Sequence, residues 1–163
     1  ISSSAAADEW FIHEHKEYWW YHVDNPGFYA VVPNTAERYY KKTIFGYQFL
    51  EMSWENGSIV MQIGIIPKSS VNEAVSFVAK RWSPLLENEL VFANREITTS
   101  NGLKTYFYAV EGVGLDGVKS MLRSVYFNKE GTIVYLAMFI PSSKYEGTML
   151  NNWIKAVNEF EWE

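Results

Sequence analysis

The sequence predicts an α+β domain: a central antiparallel β-sheet of about six to eight strands, with helices packed on it as a three-layer α/β/α sandwich. Three observations carry this reading. Short turn signals separate long strand-like runs, which makes neighbouring strands antiparallel. Two of those runs are apolar on both parities, so both faces of the sheet must be covered. Two amphipathic segments with start and stop signals are available to cover them. The 163 residues suffice for one domain with a real core. We place a flexible tail over residues 1–8 and a single domain over residues 9–163.

The turns come first. Asn56-Gly57 lies between strand-like runs at 47–55 and 58–66, and Asn-Gly supplies the positive φ angles of a tight hairpin. Asn101-Gly102 repeats the pattern between 90–99 and 103–111, and Asn128-Lys-Glu-Gly131 repeats it between 120–127 and 132–140. Asp116-Gly117 turns the chain between 106–113 and 119–127. The result is a meander of four strands. Upstream, residues 18–23 and 28–32 read as strands around the turn Asp24-Asn-Pro-Gly27.

Strand faces then set the layers. In the run 132–140, Ile133, Tyr135, Ala137 and Phe139 alternate with Val134, Leu136, Met138 and Ile140. The run 58–66 is similar, with Ile59, Met61, Ile63 and Ile65 against Val60 and Ile66. Strands of this kind sit in the middle of a sheet buried on both sides.

Two segments read as helices. Ser70-Val-Asn-Glu73 is a capping box, in which hydroxyl and carboxylate each satisfy a free backbone N–H. Val71, Ala74, Val75, Val78 and Trp82 follow at helical spacing, and Pro84 stops the run. Ser143-Lys-Tyr-Glu146 has the same capping form, with Leu150, Trp153, Ile154 and Val157 as the apolar stripe. Residues 159–163 read as a short last strand with Phe160 and Trp162 on one face.

Composition narrows the function. The net charge is −5 and no basic run exceeds two residues, which excludes a nucleic-acid partner because phosphates demand a basic stripe. No apolar stretch reaches the roughly 18 residues of a membrane-spanning helix. Cysteine is absent, which excludes disulfides, thiolate metal sites and a cysteine nucleophile. Ala5-Ala6-Ala7, followed by Asp8 and Glu9, has the small-x-small form of a signal-peptidase site. We therefore expect an exported protein, periplasmic, secreted or lipid-anchored, in which the tail ends an export signal or follows one.

The order of these features resembles a known family. It runs Asn25-Pro-Gly-Phe-Tyr-Ala-Val-Val-Pro33, a hairpin at Asn56-Gly57, a capped helix after Pro67, a meander, a second helix after Pro141 and a terminal Phe160-Glu-Trp162. Over about residues 20–162 this is similar to the Mog1/PsbP-like domains, whose first strand carries a Gly-Phe and a Pro and whose last helix leads into a closing strand with a Phe. The resemblance implies an α+β sandwich with a central antiparallel sheet. It also implies an accessory or binding role, as in photosystem extrinsic subunits, a Ran-binding nuclear factor and bacterial exported proteins. No Ran-binding or photosystem-docking residue set matches closely enough to be carried over, so the resemblance speaks to fold more than to function.

Candidate chemistry concentrates near the start. All three histidines fall between residues 13 and 22. His13, His15 and Glu17 share one face of an extended strand, and two imidazoles with a carboxylate can ligate a divalent metal. The bland alternative is a solvated, mixed-charge strand. Tyr18, Trp19 and Trp20 form the candidate ligand surface. Adjacent strand residues face opposite ways, so one Trp could lie in the core and the other stack on a ligand; burial of these rings across both sheet faces is the commoner case.

Gly112-Val-Gly-Leu-Asp-Gly117 matches the dinucleotide pattern literally, but that chemistry needs a helix after the loop, and a strand follows. We read it as a hairpin loop. Glu111 with Asp116, or Glu51 with Glu55, could serve as a carboxylate pair, although exposed acids are the commoner case. The expectation is a non-enzymatic binding or accessory domain contacting a protein or small ligand, without a cofactor. A divalent-metal-binding domain using the His-Glu-His segment and a cell-envelope hydrolase are the alternatives.

Overall fold

The computed structural model describes residues 10–14, 18–44 and 46–163, with 10–14 and 44 described by their backbone. The tail expected over residues 1–8 lies outside these. In chain order the elements are β1 (Trp10–Glu14), β2 (Tyr18–Asp24), β3 (Gly27–Pro33), β4 (Arg38–Ile44), β5 (Tyr47–Trp54) and β6 (Ile59–Ile66). There follow α1 (Val71–Trp82), β7 (Leu86–Thr98), β8 (Lys104–Gly114), β9 (Lys119–Lys129), β10 (Thr132–Pro141), α2 (Gly147–Glu159) and β11 (Glu161–Trp162).

Seven strands form the large sheet, in the order β4-β5-β6-β10-β9-β8-β7, with every neighbouring pair antiparallel. The two strands that are apolar on both parities, β6 and β10, pair with each other at its centre, where both faces are covered. On one face, Met61, Ile63, Val134, Leu136 and Met138 face Trp153, Ala156 and Val157 of α2. On the other, Ile133, Tyr135 and Ala137 face Ala74, Val78 and Trp82 of α1.

The α2 face has a second cover. Strands β1, β2, β3 and β11 form a smaller sheet of their own, and Tyr21, Val23, Phe28, Ala30 and Val32 press into the same core as α2. The reason lies in the pattern of β2. Trp19, Tyr21 and Val23 alternate with Tyr18, Trp20, His22 and Asp24, so this strand has one apolar face and one polar-aromatic face. A strand of that kind belongs in an outer layer. The layers are therefore α1, the large sheet, and α2 alongside the small sheet.

Local signals hold in most places. Around α1 the capping box is complete: Glu73 donates its backbone N–H to Ser70 Oγ at 3.1 Å, and Ser70 donates its own to Glu73 Oε1 at 3.3 Å. The second capping box does not form. Residues Ser142–Lys144 make a single 3₁₀ turn closed by Tyr145 N–H on the Ser142 carbonyl, and α2 starts after Glu146 with no side-chain cap. Ser143 is consumed inside that turn. The Asn56-Gly57 turn is also wider than two residues. Trp54 opposes Ile59, and Glu55, Asn56 and Gly57 all have positive φ.

Candidate functional site

The residues expected to bind a ligand or a metal lie on or beside the small sheet. β2 separates the expected trio by strand alternation. Trp19 turns inward and meets the Tyr39 ring at 5.0 Å. Tyr18 and Trp20 face outward, in edge contact at 5.9 Å, and Trp20 meets Tyr29 of β3 at 6.5 Å. Lys155 of α2 holds its ammonium 4.2 Å from the Tyr18 ring centre. Between this face and α2 lies a groove of about 220 Å³, lined by Tyr18, Val31, Pro33, Asn151, Asn152 and Lys155 among others.

The same outward face brings together a group that sequence reasoning did not assemble. His22 stacks on Tyr29 with ring centres 4.3 Å apart and planes 8° from parallel. Its Nε2 lies 2.8 Å from Glu163 Oε2 and 3.5 Å from Asp24 Oδ1. The Tyr29 hydroxyl donates to Glu163 Oε2 at 3.2 Å. Partial desolvation, that hydrogen bond and the negative charges of Glu163, Glu161 and Asp24 all push the Tyr29 hydroxyl pKa up.

Among the expected metal ligands, His15 and Glu17 lie outside the described residues, and His13 is placed by its backbone alone, in β1 opposite Trp20. Glu163 reaches the hairpin because β11 pairs with β3, Trp162 opposite Phe28. The sequence showed that last strand but gave no signal for its partner.

The acidic pairs are tied down individually. Glu111 accepts from Ser142 Oγ at 2.9 Å and meets Lys119 Nζ at 3.3 Å. Asp116 Oδ1 caps its own turn by accepting Val118 N–H at 3.0 Å. Glu51 accepts from the Gln62 amide, whose carbonyl in turn accepts from the buried Tyr135 hydroxyl at 3.1 Å. Glu55 pairs with Lys144.

The Gly-rich loop is the hairpin between β8 and β9. Gly117 has φ +80°, and a Cβ on Gly112 would lie 2.6 Å from the Glu87 carbonyl oxygen of β7. Those glycines serve a tight turn and a close strand approach.

A further surface lies at one corner of the large sheet. Of the six exposed large hydrophobic residues among those described, five are Leu90, Val91, Phe92, Leu115 and Val118. The first three lie on β7, an edge strand of the large sheet. The other two lie in the β8–β9 turn, which abuts the start of β7 because Leu86 opposes Gly114. Two irregularities interrupt the pairing of β7, between Glu87 and Leu90 and between Val91 and Ala93. Beneath Phe92 the Arg123 guanidinium sits 5.8 Å from its ring and 5.0 Å from Phe107. Beside the turn opens a groove of about 450 Å³ whose lining includes Trp82, Leu85, Leu115, Phe139 and Pro141. Trp82 and Phe139 are stacked at 5.2 Å. Acids border this corner: Glu87 and Glu89 are exposed before Leu90, and Asp116 follows Leu115. Sequence reading did find the β7 run but had no means to tell an edge from a centre.

The architecture has known counterparts. It is similar to the solution structure of cyanobacterial PsbP (CyanoP) from Synechocystis sp. PCC 6803, with a TM-score of 0.65 over 92% of this chain and 95% of that one, at 10% identity. A protein of unknown function from Pseudomonas aeruginosa matches at a TM-score of 0.49 and 10% identity, over 88% of this chain and 95% of that chain. No protein-family model matches the sequence, and no curated protein does. The fold is that of PsbP-like domains, as the order of the sequence elements implied.

Proposed function

We propose that this PsbP-like domain is a non-catalytic binding domain of an exported protein, and that it docks an extended protein segment along the edge of β7. The observation that carries the reading is the run of three exposed large hydrophobics, Leu90, Val91 and Phe92, on the edge strand β7, next to the β8–β9 turn that exposes Leu115 and Val118. Exposed large hydrophobics scattered singly need no explanation, but a group of them beside an edge strand marks an interaction surface. An edge strand also presents backbone N–H and C=O groups to which a partner strand can pair. The acids around the corner, Glu87, Glu89 and Asp116, select a partner whose apolar segment carries basic flanks.

Export rests on Ala5-Ala6-Ala7, and no helix among the described residues is long and apolar enough to cross a membrane. Glu51, Glu55, Glu111 and Asp116 each hold a side-chain or backbone partner of their own.

Photo-cross-linking tests this. A cross-linker at Leu90 or Leu115 is expected to capture one partner in the native envelope, and a cross-linker at Lys80 on α1 is not. The captured peptide should be apolar with Lys or Arg flanks. As a synthetic peptide it should bind the wild type and lose its binding to the double variant Leu90→Ala, Phe92→Ala, which strips exposed apolar area from β7. Capture of the same proteins from all three positions, capture of a second copy of this chain, or capture of nothing would each defeat the reading.

A further inference from the structure

We infer that His22, Asp24 and Glu163 form a divalent metal site that clasps β11 to the β2–β3 hairpin, with Zn²⁺ or a similar first-row ion as its ligand. One ligand atom from each of the three residues lies within 4.8 Å of the others. An ion held at about 2.0–2.1 Å by imidazole nitrogen and carboxylate oxygen sets its donor atoms about 3.3 Å apart in a tetrahedron. The two spacings from His22 Nε2, 2.8 Å to Glu163 and 3.5 Å to Asp24, fall on either side of that value. Small rotations of two exposed carboxylates bring all three to one centre. One imidazole with two carboxylates suits a first-row divalent ion, and three protein donors leave a position for water.

The surroundings hold each donor in place. Stacking on Tyr29 fixes the plane of the His22 ring. The Tyr29 hydroxyl donates to Glu163 Oε2, the kind of outer hydrogen bond that orients a ligating carboxylate. Glu163 is anchored by its backbone N–H on the Gly27 carbonyl at 2.9 Å. Its side chain crosses directly over the hairpin turn: a Cβ at Gly27 would lie 2.8 Å from Glu163 Oε1 and 2.9 Å from Glu163 Cβ. A glycine is required there for Glu163 to reach His22. Lys129 Nζ donates to the Glu163 backbone carbonyl at 3.5 Å. This set differs from His13, His15 and Glu17, and it draws its ligands from both ends of the fold.

Calorimetric titration of the chelator-stripped full chain with zinc chloride tests the inference. Wild type is expected to bind one Zn²⁺ and to melt at a higher temperature with it, because an ion that binds only the folded chain stabilises it by linkage. His22→Ala, Glu163→Gln and Asp24→Asn should each weaken binding by at least about tenfold. The double variant His13→Ala, His15→Ala should bind as wild type does. Asp24 is exposed, so its variant keeps the test valid should another fail to fold. No binding to wild type, loss of binding in the His13/His15 variant, or wild-type affinity in the folded His22, Glu163 and Asp24 variants would overturn it. That last result would leave His22 and Glu163 as a hydrogen-bonded pair only.

Discussion

Gly64 shows how one residue can be dictated by its neighbour. It opposes Tyr135 across the central β6–β10 pair, and the Tyr135 ring covers it. A Cβ at that position would stand 2.2 Å from Tyr135 Cε1. The ring cannot leave, because it is buried and its hydroxyl donates to Gln62. Gly64→Ala is therefore expected to destabilise the fold by about 2–3 kcal/mol, measured by urea unfolding. An unchanged midpoint would mean that the ring has room to move. Nothing in the sequence marks this glycine, since the clash depends on a residue that pairs with it across the sheet. The His22–Glu163 contact was hidden for the same reason: the two residues are separated by 141 positions.

At the scale of elements, legibility followed the range of the interaction. The Ser70–Glu73 capping box spans one helical turn, and it formed as its spacing predicted. Ser143–Glu146 has the same spacing, but its neighbours first close a 3₁₀ turn on Ser142, whose hydroxyl reaches Glu111. Ser70→Ala should then cost about 1 kcal/mol, whereas Ser143→Ala should stay within roughly 0.5 kcal/mol of wild type. Chemical denaturation of the two variants side by side checks both values, and equal losses would show that Ser143 does cap α2. The strand runs were readable from alternation, and so was the coverage of β6 and β10 on both faces. The assignment of β2 and β3 to a separate sheet was not, because alternation reports which faces of a strand are apolar and not which strand it pairs with.

For the whole molecule, the buried tyrosines set an alkaline limit. Burial pushes the hydroxyl pKa values of Tyr21, Tyr126 and Tyr135 well up, while an unfolded tyrosine titrates near about 10. The folded state thus holds these protons more tightly than the unfolded state does. Their contribution to stability is fully present below about pH 10 and declines as pH rises toward the folded values. Stability should be insensitive to these groups through neutral pH and fall steeply above about pH 10. Tyrosinate absorbance from the three residues should rise together with loss of tertiary circular dichroism. Smooth titration of all eleven tyrosines in a folded chain would contradict the burial described above.

The pairing of β11 with β3 also governs the order of assembly. A ribosome releases β3 long before β11, since Tyr29 and Glu163 are 134 positions apart. Until then Phe28 lacks its ring contacts with Phe160 at 5.4 Å and Trp162 at 6.4 Å. A contact of such long sequence separation pays its loop-closure entropy late and slows folding. During that interval the nascent hairpin offers an unpaired strand edge and unfilled aromatic surface to other chains, the condition that chaperones relieve. The same arrangement makes closure of the small sheet a report that the entire domain has been made.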